Sequence, residues 1–201
     1  VQIESSARPL GYKHAVDVGL VAGLGAALRA LDDAIAAQAD DAWRAAAGER
    51  CARLAAHKAQ DNAAYQARLE KAWARVPISM ARAMAEVRKA TPANALIVEE
   101  VITARIDFEA AFQFEAPDQY LGGRGGGIGQ ALAGAIGASI GHPGRPILCV
   151  SGDGSAMYSI TALWTAAHHN LPIVFVILAN REYRVLKHNL DIYRQRFNTL
   201  S

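Results

Sequence analysis

The chain is short of the residues that mark several large classes of protein. It has only two cysteines, Cys51 and Cys149, too far apart in sequence for a zinc or redox spacing. A disulfide-stapled scaffold is thereby excluded, and a reducing cytoplasm is the expected compartment. Charge of one sign is also lacking, with 21 Lys and Arg against 19 Asp and Glu and a net of +2. Without a basic excess there is no polyanion footprint, and no nucleic acid is expected as partner. No apolar run approaches the roughly 20 residues that cross a bilayer, so no membrane span is expected. A Walker A sequence is missing as well. Gly23-Leu24-Gly25 begins a dinucleotide pattern, but its third glycine position is Leu28, which makes the reading weak.

Apolar residues are abundant by contrast, at 52% of 201 residues, enough for one or two domains with a real core. The chain opens at Val1 without a methionine and stops at Ser201 just after a helical pattern. A portion of a longer protein is the expectation.

The centre of the sequence is Ser151-Gly152-Asp153-Gly154-Ser155. Pro146 to Val150 before it is a short apolar run that reads as a buried strand. Ser155 to His169 carries Met157, Ile160, Leu163, Trp164 and Ala167 at helical spacing, and Ile173 to Leu178 is a second buried strand ending at Ala179-Asn180. This is a βαβ unit, and parallel strands bring both carboxyl ends to one edge of the sheet. Asp153 and Asn180 are thus expected as neighbours in space. A carboxylate and an amide oxygen there suit Mg2+, which takes oxygen ligands and keeps positions for phosphate. Gly152, Gly154 and Ser155 add backbone N–H groups and a helix start that favour a diphosphate beside the metal. A βα turn with a capping aspartate is the alternative.

Other stretches read as follows. Val1 to Glu4 is a strand tail, and a helix runs from about Gly25 to Gln38. Asp41 to Ala74, alanine-rich and proline-free, predicts one long helix or two with a thin stripe of Trp43, Leu54, Tyr65, Leu69 and Trp73. Ser79 is an N-cap for a helix to about Ala90. Ala95 to Glu99 is a strand with Glu100 to Thr103 at its carboxyl end, where the Thr103 hydroxyl can serve either the diphosphate or a local turn. Leu121 to Gly129 is a glycine cluster. Gly129, Ala133, Gly137 and Gly141 recur every four residues, giving a helix with a smooth face for a core or a subunit interface. Tyr183 to Arg196 is an amphipathic helix lying over the ligand edge. His168 and His169 end a helix, where cations suit the dipole, and His188 is a better candidate for substrate contact.

The GDG turn, followed by an asparagine at the next strand end, resembles the cofactor motif of thiamine-diphosphate enzymes. The run GDGSAMYSITALWTAAHHNLPIVFVILAN resembles the group that includes benzoylformate decarboxylase and acetolactate synthase. The likeness is strong from Pro77 to Phe197 and diffuse from Val1 to about Asp40. It implies an α/β fold, a parallel sheet with helices on both faces. It also implies a division into residues 1–40 (the tail of a middle domain), 41–76 (a helical connector) and 77–201 (a cofactor-binding domain incomplete at its C-terminus). The implied metal ligands are Asp153, Asn180 and the backbone carbonyl of Glu182. Relatives carry Asn-Asn where this chain has Ala179-Asn180, and the second position is the ligand.

The cofactor must bend so that its aminopyrimidine reaches the thiazolium. The resemblance places Ile128 at the wedge under that bend and Gly126 at the carbonyl that holds the pyrimidine. Tyr158 is counted with the cofactor residues, and Leu186 and Asn189 fall where relatives line the substrate pocket. The implied chemistry is thiamine-diphosphate- and Mg2+-dependent decarboxylation or carboligation of a 2-keto acid, as a homodimer or tetramer. The catalytic glutamate is expected in an N-terminal domain of a neighbouring subunit. Three readings stay open: a decarboxylase of the benzoylformate type, a carboligase of the acetolactate synthase type, and a non-catalytic Mg–diphosphate module.

Overall fold

The computed structural model describes residues 1–123 and 126–197. Arg124 and Gly125 of the glycine cluster, and residues 198–201 of the expected cofactor domain, lie outside the described residues. The chain divides into two compact units, residues 1–61 and Asn62 onward. In the first, β1 (Gln2–Glu4) pairs in parallel with β2 (Gly19–Val21), and α1 (Leu24–Gln38) follows. Strand β2 lies between the expected strand tail and helix, in a stretch to which the sequence assigned no element. The alanine-rich stretch is a single helix, α2 (Asp41–Ala72), with no buried residue.

The second unit holds α3 (Met80–Ala90), β3 (Leu96–Glu100), α4 (Arg105–Ala111), β4 (Tyr120–Gly122), α5 (Gln130–Gly141), β5 (Ile147–Gly152), α6 (Asp153–Met157), α7 (Ala162–His168), β6 (Ile173–Leu178) and α8 (Arg184–Phe197). The Ser79 hydroxyl caps α3, accepting from the Arg82 N–H at 3.3 Å. Four strands form an all-parallel sheet in the order β4-β3-β5-β6. Sheets of this kind are covered on both faces, and their strands read as nearly continuous apolar runs. Leu96-Ile97-Val98 and Ile147-Leu148-Cys149-Val150 are such runs, and all seven residues are buried.

Alternation along the strands sends their side chains to two cores. One joins Ile97, Leu148 and Val150 to Met84 of α3 and to Phe108 and Phe112. The other joins Leu96, Val98, Ile147 and Cys149 to Ala131, Leu132 and Ala135 of α5, with Leu163 of α7 packed against it. The expected buried strand over Ile173 to Leu178 is instead an edge strand: among the described residues β6 pairs only with β5, none of its residues is fully buried, and its Val174 is 61% exposed. No helix among the described residues is long and apolar enough to cross a membrane.

Two further expectations are revised. The single helix over Ser155 to His169 is instead two short ones, α6 and α7, joined by turns at 158–161. Its continuous helical spacing hid that break, because two short helices and their turn can bury the same apolar positions. Of the two settings expected for the smooth face of α5, the core is excluded: Ala133, Gly137 and Gly141 are exposed, and a side chain added at Gly137 or Gly141 would meet nothing within 4 Å. The buried face carries Leu132, Ala135 and Ile136 instead.

Phe108 is 2% exposed and stacks on Phe112 at 4.7 Å between ring centroids, with Phe114 and Tyr120 tilted beside it. Phe108→Ala should therefore cost about 3–5 kcal/mol. Denaturant unfolding with an unchanged slope is the measurement, and a loss below 1 kcal/mol would show that this aromatic cluster is not structural.

Candidate functional site

The order β4-β3-β5-β6 means that the chain leaves β3 on one side, to β4, and returns past it to β5 on the other. At such a reversal the crossing segments diverge and leave a crevice beyond the carboxyl ends of the strands. Glu100 of β3 pairs with Ser151 of β5, which pairs with Ile177 of β6. The next residues of each strand therefore emerge on one edge: Thr103 after β3, Asp153 after β5 and Asn180 after β6. The glycine cluster follows β4 on the same edge.

Asp153 is half-buried at the start of α6. Its Oδ1 accepts the Gly154 N–H at 2.9 Å, and its Oδ2 accepts the Arg181 N–H at 2.7 Å. The second bond joins the β5 turn to the β6 turn, so the proximity of Asp153 and Asn180 expected from topology is a feature of the structure. Arg181 makes it in a left-handed conformation, φ +59°, which costs a non-glycine residue about 1–2 kcal/mol. Asn180 Oδ1 accepts the Glu182 N–H at 3.0 Å. A carboxylate has about four lone-pair positions, so Asp153 keeps acceptor capacity for a cation after its two bonds.

The Glu182 side chain is drawn off to the surface. Its oxygens accept from Lys187 Nζ at 2.5 Å and Arg184 Nε at 2.8 Å. Those hydrogen bonds, the Lys187 one foremost, hold its carboxyl below the ordinary glutamate range. Glu182 could thus offer this edge its backbone carbonyl and not its carboxylate. One acid, one amide and one carbonyl oxygen make a hard, oxygen-only donor set that fits Mg2+. Among the described residues no group of three or more His, Cys, Asp or Glu side chains could hold a metal, which leaves mixed donors of this kind.

The GDG turn has close neighbours. A side chain on Gly154 would come within 2.8 Å of Tyr183 Cε1, so Tyr183 lies against that backbone; the sequence had marked it only as the start of a helix. Gly152 has nothing within 4 Å of where a side chain would project. Ser155 is buried inside α6. That helix has five residues, less dipole than the longer helix expected from sequence.

Gly129 stands just before α5 with φ +94°, and a side chain there would meet Tyr158 Cβ at 2.4 Å. The contact brings the glycine loop and the turn after α6 together, so Tyr158 sits beside Gly129 and near Ile128. Gly126 also has positive φ, +72°, and Ile128 is 37% exposed. Thr103 is exposed in the turn after β3, and Leu186 and Asn189 are exposed on α8. An apolar cleft of about 220 Å³ opens at the opposite end of the sheet, lined by Val87, Pro146, Pro172 and Val174 among others. It is remote from the carboxyl edge and has no part in this site.

Gly129→Ala should be destabilising on two counts, a left-handed backbone worth about 1–2 kcal/mol and the clash with Tyr158. Chemical denaturation compared with Gly137→Ala, which faces open space, is the check. Equal effects would mean that the loop is free to move.

Residues 103–200 match the C-terminal TPP binding domain of thiamine pyrophosphate enzymes. Benzoylformate decarboxylase of Pseudomonas aeruginosa is 38% identical over 96 residues, 48% of this chain and 18% of that protein. The acetolactate synthase isozyme 1 large subunit of Escherichia coli is 35% identical over 88 residues, 43% of this chain and 16% of that protein. The chain thus spans under a fifth of the length of these relatives. Among solved structures, the thiamine diphosphate-dependent 4-hydroxybenzoylformate decarboxylase of Rhodococcus jostii RHA1 superposes with a TM-score of 0.56 at 34% identity. That match covers 59% of this chain and 22% of the other. Over residues 103–200, just under half of its length, the chain is thus similar to the C-terminal TPP binding domain of thiamine pyrophosphate enzymes.

Proposed function

We propose that this chain supplies the magnesium–diphosphate half of the active site of an enzyme that decarboxylates a 2-keto acid of the benzoylformate type. The observation that carries the reading is the Arg181 N–H bond to Asp153, which closes the two strand-end turns on each other. Asp153, Asn180 and the Glu182 carbonyl would hold Mg2+, and the Gly154 and Ser155 end of the turn would face the diphosphate. Bound thiamine diphosphate supplies the carbon nucleophile and electron sink for losing carbon dioxide from a 2-keto acid.

The remaining residues orient. The Gly126 carbonyl would accept from the aminopyrimidine, and Ile128 would support the bend from below. Thr103 and Tyr158 flank the same edge, and Leu186 and Asn189 would meet the substrate from α8. We assign the acid that works at the pyrimidine end to another part of the assembly, supplied by a second copy in a dimer or tetramer. The exposed Ala133, Gly137 and Gly141 face of α5 suits such close approach. The 201 residues alone are then expected to bind magnesium and diphosphate weakly and to decarboxylate nothing.

A carboligase of the acetolactate synthase type is the second reading, favoured by the nearly equal identity of that relative, 35% against 38%. A binding-only module is the reading from a different class; both named relatives are catalysts by title, which weighs against it.

Carbon dioxide release from benzoylformate and from pyruvate by the full-length protein, with acetolactate measured alongside, separates the first two. Release from neither substrate would overturn both. At the metal, Asp153→Ala should abolish magnesium-dependent cofactor binding in calorimetric titration. Asn180→Ala keeps the charge and should weaken binding about tenfold, or about 1.4 kcal/mol. Unchanged affinity in Asp153→Ala would remove the metal assignment. Ile128→Ala should lower turnover at saturating cofactor far more than affinity, since the diphosphate is anchored elsewhere; the reverse pattern would count against the wedge.

A further inference from the structure

Two adjacent acids at the end of β3 are buried and have no role in the site as built so far. Glu99 is 3% exposed and Glu100 7%. A buried carboxylate is costly unless it is paired or hydrogen-bonded, so what these two hold is informative. Glu99 accepts from the Tyr120 hydroxyl at 2.6 Å with one oxygen and from the Val101 N–H with the other. Glu100 faces the other way. Its Oε1 accepts the Gly129 N–H, and its Oε2 accepts the Ala131 N–H at 2.8 Å. The segment from Tyr120 to Ala131, with Gly126 and Ile128 inside it, is therefore tied at both ends to one dipeptide of the neighbouring strand.

The two ties differ in kind. Glu99 holds a side chain at the start of β4, far along the chain from Ile128. Glu100 holds the backbone of the residue next to Ile128, and of the second residue of α5. The first N–H groups of a helix have no partners within it, and an anion there also meets the positive end of the dipole. Bonds to a carboxylate are about twice as strong as neutral ones. An internal carboxylate already takes the Gly129 and Ala131 N–H groups at the start of α5, so this end offers less to a phosphate. That directs the diphosphate to the Gly152–Ser155 turn and leaves the α5 end to set the loop.

We propose that Glu100 is a positioning residue: it locks the first turn of α5 so that Ile128 leaves the backbone in the direction needed under the bend of the cofactor. The inference rests on reading this edge as a thiamine-diphosphate site. Gly129 contributes to the same lock through its left-handed backbone against Tyr158.

The test compares E100Q and E99Q with wild type in the full-length protein, using two ligands, each with Mg2+: thiamine diphosphate and inorganic diphosphate. Gln keeps the length but turns an amide NH2 toward a backbone N–H. E100Q should lower affinity for thiamine diphosphate about tenfold while affinity for inorganic diphosphate stays within about twofold, since only the former needs the wedge. Turnover at saturating cofactor should fall about 100-fold, the scale of a 1 Å misplacement. Hydrogen exchange at Gly129 and Ala131 should quicken. E99Q should leave the ratio of the two affinities at its wild-type value. If E100Q does not fold, E100D, which keeps the charge one methylene short, takes its place. Equal losses for both ligands, or no loss for either, would overturn the role of Glu100 and leave the cofactor reading standing. A wild-type protein that binds neither ligand would take down both.

Discussion

Everything at this site depends on register between parallel strands. Glu100, Ser151 and Ile177 lie side by side across β3, β5 and β6, so three separate turns begin at one level of the sheet. A slip of one residue in any pairing would turn the strand's buried face outward and move its turn by about 3.3 Å. The two apolar cores prevent that slip, because each strand has a set of large side chains committed to each face. Packing far from the edge thus sets the geometry of polar groups at the edge.

Much of this was legible in the residues. The runs around Ile97 and Val150 announced buried strands, the run around Val176 announced a strand but not its place at the edge, and the turn residues after them announced where the strands stop. Asp153 and Asn180 could be brought together by topology alone, since parallel strands leave no other place for their ends. The resemblance then supplied roles that spacing cannot, such as the wedge at Ile128. What stayed hidden had physical causes. Strand β4 is three residues long and ends on a glycine, too short for a period to show. The break between α6 and α7 leaves the apolar spacing intact. Glu99 and Glu100 follow an apolar run and look like its solvated end; only the structure shows that they are buried and bonded to backbone. Two acids closing a strand otherwise made of Leu, Ile and Val were the available signal.

The same contrast separates the two kinds of carboxylate here. Glu182, at the surface, is held by flexible cations and keeps its proton affinity low through them. Glu100, in the interior, is held by backbone N–H groups that cannot swing away. Surface pairs of the first kind contribute little to stability, whereas the second kind fixes a loop relative to a sheet. An acid's worth to the fold follows from what donates to it more than from its own charge.

The outer strand β6 carries a further implication. Its sequence, Ile173-Val174-Phe175-Val176-Ile177-Leu178, has no charge and no proline, and one flank has no strand partner among the described residues. Native sheets usually blunt such a border with lysine, proline, a bulge or a covering element. Six uncharged, β-prone residues with one flank unpaired by any strand among the described residues form a template for intermolecular pairing. Handled as an isolated piece, this polypeptide would be prone to precipitate through that border, in a manner that depends on concentration and not on the cofactor.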